Sequence, residues 1–371
     1  MKYFLIAGER SGDMHAGNLI KALSSIDSSS EFIGWGGDYM RNAGMKVLTH
    51  YQSISFMGFW EVIQNYGTIR KAIKKCKEDI SREKPDAIIL VDFAGFNLRM
   101  ASHAKENNIP VHYYISPKIW AWNTKRAYKI KKLVDYMYCI LPFEVNFYKQ
   151  FDYQTDYVGN PLFDQIRSFN PKDNFAKEII GDNSKKIIAL LPGSRYQEVS
   201  SMLKEMLQVI PEFPDCHFVV AAVDNLPKEL YSTVNDFSNV TLLSDQTYDL
   251  LKTADAALVT SGTATLETAL FNVPHLICYK AGKISYMIAK RLIKVDFIGL
   301  PNLIAGREVV PELIQDDMTS EQMISGLKAI LYSGKGEEMK KGFSEIKEIL
   351  GNKKASQETG KLIFSRLNLR G

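Results

Sequence analysis

The amino-acid sequence predicts an α/β protein with two doubly wound, Rossmann-like domains that face a central cleft. Three observations lead to this prediction. The chain of 371 residues is long for a single hydrophobic core. Short, almost continuously apolar runs alternate with helical patterns, which is typical of a parallel sheet covered on both faces. The alternation stops at a polar stretch and then restarts, so the sequence contains two similar halves.

The order of the elements gives the predicted domain limits. The first domain covers residues 1–166, with strands in KYFLIAG, EFIGWGG, DAIILVD, PVHYYIS, MYCILPF and TDYVGNP. A linker follows at 167–186. The second domain covers 187–345, with strands in IIALLPGS, HFVVAAV, VTLLS, AALVTSG and HLICYK. Helical segments close the chain, and the last one, 346–371, is expected to pack on the first domain or on a partner subunit.

Composition limits the class of protein. The four cysteines lie far apart and the six histidines lack metal-ligand spacing, so neither disulfides nor a metal site is predicted. Glu9 and Arg10 interrupt the N-terminal apolar run, which does not resemble a signal peptide. No apolar stretch is long enough to span a bilayer. Residues 1–160 contain 21 basic and 16 acidic residues, whereas the rest contains 25 and 26. We therefore expect a cytoplasmic protein whose first half meets anionic partners.

The first strand of the second domain ends in a turn that suits a diphosphate. Gly193 and Ser194 allow close backbone approach, and Arg195 adds a guanidinium where a helix begins. The segment is not a Walker A loop, because no G-x-x-x-x-G-K-[ST] pattern occurs. The alternative is a simple strand–turn–helix connection with a surface arginine.

A second turn of this kind occurs later in the same domain. After the strand AALVT the chain continues with Ser261, Gly262, Thr263 and Ala264, and Glu267 lies on the first turn of the next helix. Two helix N-termini at strand ends suit a nucleotide diphosphate, and the carboxylate suits a ribose diol. NAD is disfavoured, since G-x-G-x-x-G is absent. The alternative is an ordinary helix cap with a favourable first-turn glutamate.

In the first domain, two strand ends carry carboxylates. The loop AGERSGD brings Glu9, Ser11, Gly12 and Asp13 to the predicted cleft, although Ser11 or Asp13 would also serve as a helix N-cap. Asp92 ends a buried strand, where an ionised carboxylate is costly unless it is used or paired. Such a group is a candidate general base. The alternative is a helix cap or a salt bridge within the scaffold.

Aromatic and basic residues are concentrated in 114–133. Trp120 and Trp122 lie in this segment, and no acidic residue occurs from Lys118 to Lys132. This composition suits a membrane interface or a phosphate-bearing ligand. No nucleic-acid-binding module accompanies it, so no nucleic-acid partner is expected. The alternative is that the tryptophans belong to the core and the lysines form a solvated helix face.

The segment 53–75 has a similar composition. Met57, Phe59 and Trp60 cluster before a basic stretch, which predicts an apolar and basic edge that contacts lipid. The alternative is again a core position, because methionine and aromatic residues on a helix are usually buried.

Eight motifs together resemble the lipid-A-disaccharide synthases, inverting glycosyltransferases with two Rossmann-like domains in the GT-B-type architecture. The likeness runs over nearly the whole chain and follows the order expected for that family. The motifs are GERSGD, FMGFWEV, VDFAGFN, YISPKIWAW, LPFE, LPGSR, TSGTATLE and LPNLIAGREVVPELIQ.

The resemblance implies a reaction in lipid A biosynthesis of Gram-negative bacteria. UDP-2,3-diacylglucosamine donates its sugar to 2,3-diacylglucosamine 1-phosphate, which gives a β-1,6-linked tetra-acyl disaccharide 1-phosphate and UDP without a cofactor. Asp92 would be the general base for the acceptor 6-hydroxyl. Asn302 would join the UDP site, and Asn97 and Ser116 the acceptor cleft. The family also implies peripheral association with the cytosolic face of the inner membrane and a possible homodimer that exchanges C-terminal segments.

One motif departs from the family pattern. Many members have D-x-x-D-F-N where this chain has Asp92-Phe93-Ala94-Gly95-Phe96-Asn97, so the second carboxylate is missing. Asp92 is therefore the better candidate for the base. An inverting transfer needs no acid for its leaving group, because UDP already leaves readily and needs only charge stabilisation.

Two other functions remain as alternatives at this point. A UDP-N-acetylglucosamine 2-epimerase uses a similar two-domain fold, but it needs no lipid-facing edge. The second alternative is a non-catalytic protein that binds a nucleotide sugar or a lipid. In that case, Asp92→Asn would change neither turnover nor product.

Overall fold

The computed structural model describes residues 1–53, 66–181, 185–282, 286–287, 291 and 295–369. The chain divides into two compact units, the first formed by Met1–Pro161 together with Asn352–Gly371 and the second by Leu162–Gly351. Each unit contains a parallel sheet with helices along the chain between its strands. The predicted fold class is confirmed.

The first unit contains a seven-stranded sheet in the order β3-β2-β1-β4-β5-β6-β7, in which every neighbouring pair is parallel. Its central strands are buried along almost their whole length, as their apolar runs predict. The strands are β1 Lys2–Ala7, β2 Glu31–Gly36, β3 Lys46–His50, β4 Ala87–Val91, β5 Val111–Tyr114, β6 Tyr136–Cys139 and β7 Asp156–Tyr157.

Helices and apolar cores cover the first sheet. Trp35 and Tyr113 belong to one core, and Tyr3 and Tyr114 belong to the other. Successive residues of β5 thus enter different cores, as the alternation of side chains along a strand requires. The helices described before residue 161 are α1 Arg10–Ile26, α2 Asp38–Asn42, α3 Tyr66–Glu83, α4 Ala94–Glu106, α5 Arg126–Leu133 and α6 Pro142–Lys149. Short 3₁₀ turns lie at Tyr51–Ser53 and Ile119–Ala121.

The second unit contains a six-stranded parallel sheet in the order β10-β9-β8-β11-β12-β13. Its strands are β8 Lys186–Leu191, β9 Cys216–Ala222, β10 Val240–Ser244, β11 Ala256–Thr260, β12 His275–Tyr279 and β13 Glu312–Ile314. The helices whose bounds lie within its described residues are α7 Pro161–Ser168, which begins at the boundary, then α8 Phe175–Ile180, α9 Tyr196–Leu207, α10 Thr247–Thr253, α11 Thr263–Leu270, α12 Leu300–Ala305, α13 Ser320–Tyr332 and α14 Lys335–Leu350. Described 3₁₀ segments lie at Ile210–Glu212, Lys228–Asp236 and Gln315–Asp317. The α8 helix lies within the predicted linker, and its Phe175 packs in the core of this unit.

The last helix, α15 Ala355–Asn368, returns to the first unit and packs on α1. Gly360 lies so close to Ala22 that a Cβ at position 360 would be 3.4 Å from the alanine side chain. Arg366 forms an ion pair with Asp156 at 2.8 Å, and its guanidinium stacks on Tyr136. The helix therefore completes the first unit after the chain has passed through the second.

The order of strands marks one position in each sheet. It reverses between β1 and β4 in the first unit and between β8 and β11 in the second. In open α/β sheets, ligands bind at the carboxyl ends of the strands at such a switch point. The four loops that follow these strands are those in which the sequence analysis placed most of the candidate ligand-binding residues.

Candidate functional site

Asp92 lies at the switch point of the first unit, directly after the last residue of β4. Asp92 and Phe93 have φ angles of +47° and +48°, the left-handed conformation that residues with a side chain seldom adopt. The Asp92 N–H donates to the carbonyl of Tyr114 at 3.1 Å and extends the pairing of β4 with β5. The chain then reverses and α4 begins at Ala94. Unusual backbone of this kind is typical of functional sites.

The surroundings of Asp92 make its carboxylate more basic. Burial raises the pKa, while the Lys118 ammonium and the Phe93 N–H favour the ionised form. The side chain is half-buried. A higher pKa strengthens a general base, and a nearby cation favours its ionised form.

The loop after β1 approaches Asp92 through its neighbour Phe93. A Cβ at Gly8 would lie 2.3 Å from the Phe93 ring, so only glycine fits at that position. Glu9 is half-buried, Ser11 is exposed and Gly12 is buried. Two of the loops predicted to line the cleft of the first domain are thus in contact at this edge of the sheet.

Asp13 has a structural role that differs from the alternative in the sequence analysis, because it lies inside α1 and does not cap the start of that helix. Its carboxylate is buried and accepts the N–H groups of Gly37 at 2.7 Å, Tyr39 at 3.0 Å and Met40 at 3.2 Å. These donors belong to the start of α2, so Asp13 caps that helix. The expectation that Asp13 is a free polar group at the cleft is corrected.

Three further residues predicted for the acceptor cleft are buried and bonded within the first unit. Asn97 donates to the carbonyls of Val91 and Asp92. The Ser116 hydroxyl lies 2.9 Å from that of Tyr148. The indole N–H of Trp120 donates to the buried carboxylate of Glu144. By contrast, the Trp122 side chain is 48% exposed and is therefore available to a partner.

Glu144 is a buried carboxylate that the sequence analysis did not select. It accepts the Trp120 indole N–H at 3.1 Å and the backbone N–H groups of Ile140 and Leu141. Burial nevertheless dominates and raises the pKa to about 7. The motif LPFE contains a hint, because a proline at the start of a helix followed by Glu at its third position is a capping pattern.

Because the pKa of the buried Glu144 is raised, we expect the free energy of unfolding of the first unit to fall as the pH rises. Its folded-state pKa of about 7 exceeds the ordinary value of 4.5, so the stabilisation is complete below pH 4.5 and is lost as the pH passes 7. The total loss is about 3 kcal/mol. Trp35, Trp120 and Trp122 lie in this unit, and the sequence of the second unit contains no tryptophan, so urea unfolding followed by tryptophan fluorescence reports on the first unit.

The measurement compares wild type with Glu144→Gln at pH 5 and pH 8.5. His15 of the same unit has a pKa lowered to about 4 by burial, so it stabilises above pH 6.5 and loses that contribution as the pH falls toward 4. This opposite effect cancels in the comparison of the two proteins. Equal pH dependence in both proteins would mean that Glu144 is ionised in the folded state throughout.

Gly95, which stands where many family members have a second aspartate, has open space around it. It is the second residue of α4, and no described atom lies within 4 Å of a Cβ placed there. We expect Gly95→Asp to raise the free energy of unfolding by about 1 kcal/mol, since glycine is poor in helices and a carboxylate in the first turn is favourable. Turnover should stay unchanged if Asp92 alone is the base.

A matched control is Gly67→Asp, a glycine on α3 where a Cβ also meets no described atom within 4 Å. Both variants are tested by urea unfolding and by turnover. A more than tenfold gain in turnover for Gly95→Asp alone would show that a second carboxylate contributes to the chemistry.

In the second unit, backbone N–H groups in the turn after β8 bind the side-chain carboxylate of Glu198. Gly193 has a φ of +118°, and the N–H groups of Ser194 and Arg195 donate to one oxygen of Glu198 at 3.1 and 3.3 Å. The Arg195 guanidinium is 67% exposed and lies 3.5 Å from the other oxygen. The donors predicted to bind a diphosphate are thus arranged around an anion. Glu198 itself was not predicted, since LPGSR ends before it.

The turn after β11 also lies at the switch point. Ser261 and Ala264 are half-buried, and Gly262 and Thr263 are exposed. Glu267 accepts a hydrogen bond from the Tyr248 hydroxyl at 2.9 Å. Burial raises the pKa of Glu267, while the tyrosine hydroxyl favours its ionised form. This carboxylate is half-buried and belongs to the fifth residue of α11, beyond the first turn in which the sequence analysis placed it.

Asn302 is fully buried, and its side chain is used completely by the chain. The amide nitrogen donates to the Val310 carbonyl at 2.7 Å and to Glu312 at 2.9 Å. The amide oxygen accepts the N–H groups of Val309 and Val310. These four bonds exhaust its capacity. The Asn302 side chain therefore holds the loop before β13, and a contact of this residue with UDP stays a prediction.

Three further predictions concern lipid contact, membrane-spanning helices and a metal site. Met57, Phe59 and Trp60 lie outside the described residues. In the described part of the chain, no helix has both the length and the apolar character needed to cross a membrane. In that same part of the chain, no group of three or more His, Cys, Asp or Glu side chains is arranged to hold a metal ion.

Comparison with known proteins adds an independent line of evidence. The family model described as lipid-A-disaccharide synthetase matches residues 3–363. A lipid-A-disaccharide synthase of Geobacter sulfurreducens is 34% identical over 99% of this chain and 97% of its own length. Another, of Myxococcus xanthus, is 35% identical over the same shares.

Solved structures are similar at lower identity. The UDP-GlcNAc 2-epimerase of Neisseria meningitidis, bound to UDP-GlcNAc, has a TM-score of 0.67 and 15% identity over 100% of both chains. The glycotransferase of kitacinnamycin has a TM-score of 0.68 and 10% identity over 99% of both chains. At such identities the likeness concerns the fold alone.

Proposed function

Because the chain belongs to the lipid-A-disaccharide synthetase family and is therefore a hexosyltransferase of lipid A biosynthesis, we propose that it joins UDP-2,3-diacylglucosamine to 2,3-diacylglucosamine 1-phosphate. The products are a β-1,6-linked tetra-acyl disaccharide 1-phosphate and UDP. The acceptor O6 bonds to C1 of the donor sugar, and the bond from C1 to the UDP oxygen breaks with inversion. The electron pair of that bond leaves on the diphosphate.

Asp92 is the general base in this proposal, and its position is the observation that carries it. Its half-buried carboxylate with a raised pKa follows β4 at the switch point of the first unit. The carboxylate accepts the proton of the acceptor 6-hydroxyl as the new bond forms. The same edge carries Glu9, Ser11 and Gly12 on one side and Lys118 and the exposed Trp122 beyond β5.

The second unit supplies the donor site. The starts of α9 and α11 follow β8 and β11, the two strands at its switch point. Their N–H groups and the Arg195 guanidinium neutralise the charge that develops on the leaving diphosphate. The diphosphate takes the place of the Glu198 carboxylate on the Ser194 and Arg195 N–H groups, and Glu267 binds the ribose diol.

Acylated substrates reside in a membrane, so the proposal includes peripheral association with the cytosolic face of the inner membrane. Its support in the described residues is the segment after β5, where the exposed aromatic side chains of Trp122 and Tyr128 lie among lysines. Nucleic acid is not a proposed partner. A homodimer that exchanges C-terminal segments is proposed only from the family resemblance.

A mass-spectrometric turnover assay tests the function. Purified protein receives the UDP-diacylglucosamine donor and the 1-phosphate acceptor in the presence of EDTA. The expected result is the tetra-acyl disaccharide phosphate and an equal amount of UDP. Epimerised donor without disaccharide would indicate an isomerase, and bound UDP-sugar without any product would indicate a binding protein. Either outcome would contradict the proposed function.

A further inference from the structure

The main-chain carbonyl of Asp92 needs partners that α4 does not provide. The first backbone bonds of this helix run from Phe96 and Asn97 to the carbonyl of Phe93, at 3.2 and 3.0 Å. The Asp92 carbonyl therefore lies outside the helical ladder, at a position between strand and helix. A buried carbonyl in such a position must find a donor elsewhere.

Two side chains donate to this one oxygen. The Asn97 amide reaches it at 2.7 Å and also reaches the Val91 carbonyl at 3.2 Å. The Tyr113 hydroxyl donates to the same Asp92 oxygen from the neighbouring strand β5. Tyr113 and Asn97 are both 0% exposed, so the two donor side chains are shielded from water. Burial raises the pKa of Tyr113 well above its ordinary value, so its hydroxyl remains a donor.

A third contact holds the turn from the side of β1. The Phe93 ring occupies the space where a side chain at Gly8 would lie. The same ring stacks on Phe96 with centroids 5.6 Å apart. The two left-handed residues Asp92 and Phe93 are thus fixed by β5, by α4 and by the loop after β1.

We infer that Tyr113, together with Asn97, is a positioning residue that holds the left-handed turn at Asp92 in the geometry needed for catalysis. The inference rests on the proposed function, because it depends on Asp92 as the base. Left-handed backbone is unfavourable for residues with side chains and persists where the surroundings enforce it. Loss of one of two donors allows the turn to relax, and a misplacement of about 1 Å can lower a rate about 100-fold.

The chain offers a matched control for a merely structural role. Tyr153 is also buried in the first unit, and its hydroxyl donates to the Val134 main-chain carbonyl at 2.9 Å. Tyr153→Phe and Tyr113→Phe remove the same kind of bond from the same unit. Of these two tyrosines, only Tyr113 donates to the backbone of Asp92. Similar effects on unfolding but different effects on kcat would separate positioning from stability.

The experiment measures kcat and both KM values by product mass spectrometry for Tyr113→Phe, Tyr153→Phe, Asp92→Asn and the double variant of Tyr113 and Asp92. We expect Tyr113→Phe to lower kcat about tenfold or more, with the donor KM unchanged. Tyr153→Phe should retain the wild-type kcat. The double variant should be no slower than Asp92→Asn alone, because both changes act through one group.

Two results would overturn the inference in different ways. A wild-type kcat for Tyr113→Phe, with Asp92→Asn inactive, rejects the positioning role and leaves the proposed function intact. Full activity of Asp92→Asn rejects the base and the positioning role together. If Tyr113→Phe fails to fold, Asn97→Ser removes the other donor to the same oxygen, and an unchanged kcat in that variant would equally reject the inference.

Discussion

Replacement of Asp92 by asparagine is expected to lower kcat by at least about 100-fold, the usual contribution of a positioned general base. Asparagine keeps the size and tolerates the left-handed φ of +47°, so the change removes basicity and leaves the backbone in place. The donor KM should change little, since Asp92 belongs to the first unit and acts on the acceptor hydroxyl. Product mass spectrometry at saturating donor measures the effect.

The pH dependence provides a second measure of the same group. Because burial raises the pKa of Asp92, the acid limb of kcat/KM should lie above the ordinary aspartate value of 3.8 and should disappear in the variant. The control is Asp152→Asn, since Asp152 is an exposed aspartate of the same unit with a φ of +52°. Equal losses in both variants would mean that the effect comes from the backbone and not from the base.

Replacement of Arg195 by alanine is expected to lower kcat/KM for the donor by about 100-fold, as does removal of one group that stabilises a developing anion. The guanidinium is 67% exposed, and its pair with Glu198 at 3.5 Å contributes little to stability. The loss should therefore appear in turnover and in UDP affinity, with the free energy of unfolding almost unchanged. Steady-state kinetics and calorimetric titration with UDP measure both.

Arg41→Ala is the matched control for Arg195→Ala. Arg41 is an exposed arginine that forms an ion pair with Asp38, three residues away, in the first unit. Its loss should leave kcat/KM unchanged. Arg195→Lys separates charge from geometry, because lysine keeps the charge but not the planar pair of donors. Unchanged UDP affinity in Arg195→Ala would place the diphosphate away from the turn after β8.

The fold was predictable because strand and helix patterns are local properties of the sequence. Runs such as AIILV in β4 and IIALL in β8 are apolar at every position, and both lie in the middle of a parallel sheet. The switch points were not predictable, since the order of strands depends on long-range packing. Once that order is known, the loops at Asp92 and Ser194 lie where ligands bind in such sheets.

The roles of individual polar residues were harder to predict, because they depend on which main-chain groups the fold leaves without a partner. Asp13 and Asn302 belong to motifs that suggested ligand contacts, but they satisfy buried N–H and carbonyl groups of their own chain. The roles of Glu144 and Tyr113 were not predicted, because their partners Trp120 and Asp92 are 24 and 21 residues away in the sequence. Pairings of this kind exist only after the chain has folded.

The first unit is built from two stretches of chain with the whole second unit between them. During translation, β1 and α1 therefore leave the ribosome long before α15, which packs on α1 through Gly360 and Ala22. The second unit is continuous in the sequence, whereas the part of α1 that contacts the last helix stays uncovered until α15 emerges. The first unit thus becomes complete only after the whole second unit and α15 have been synthesised.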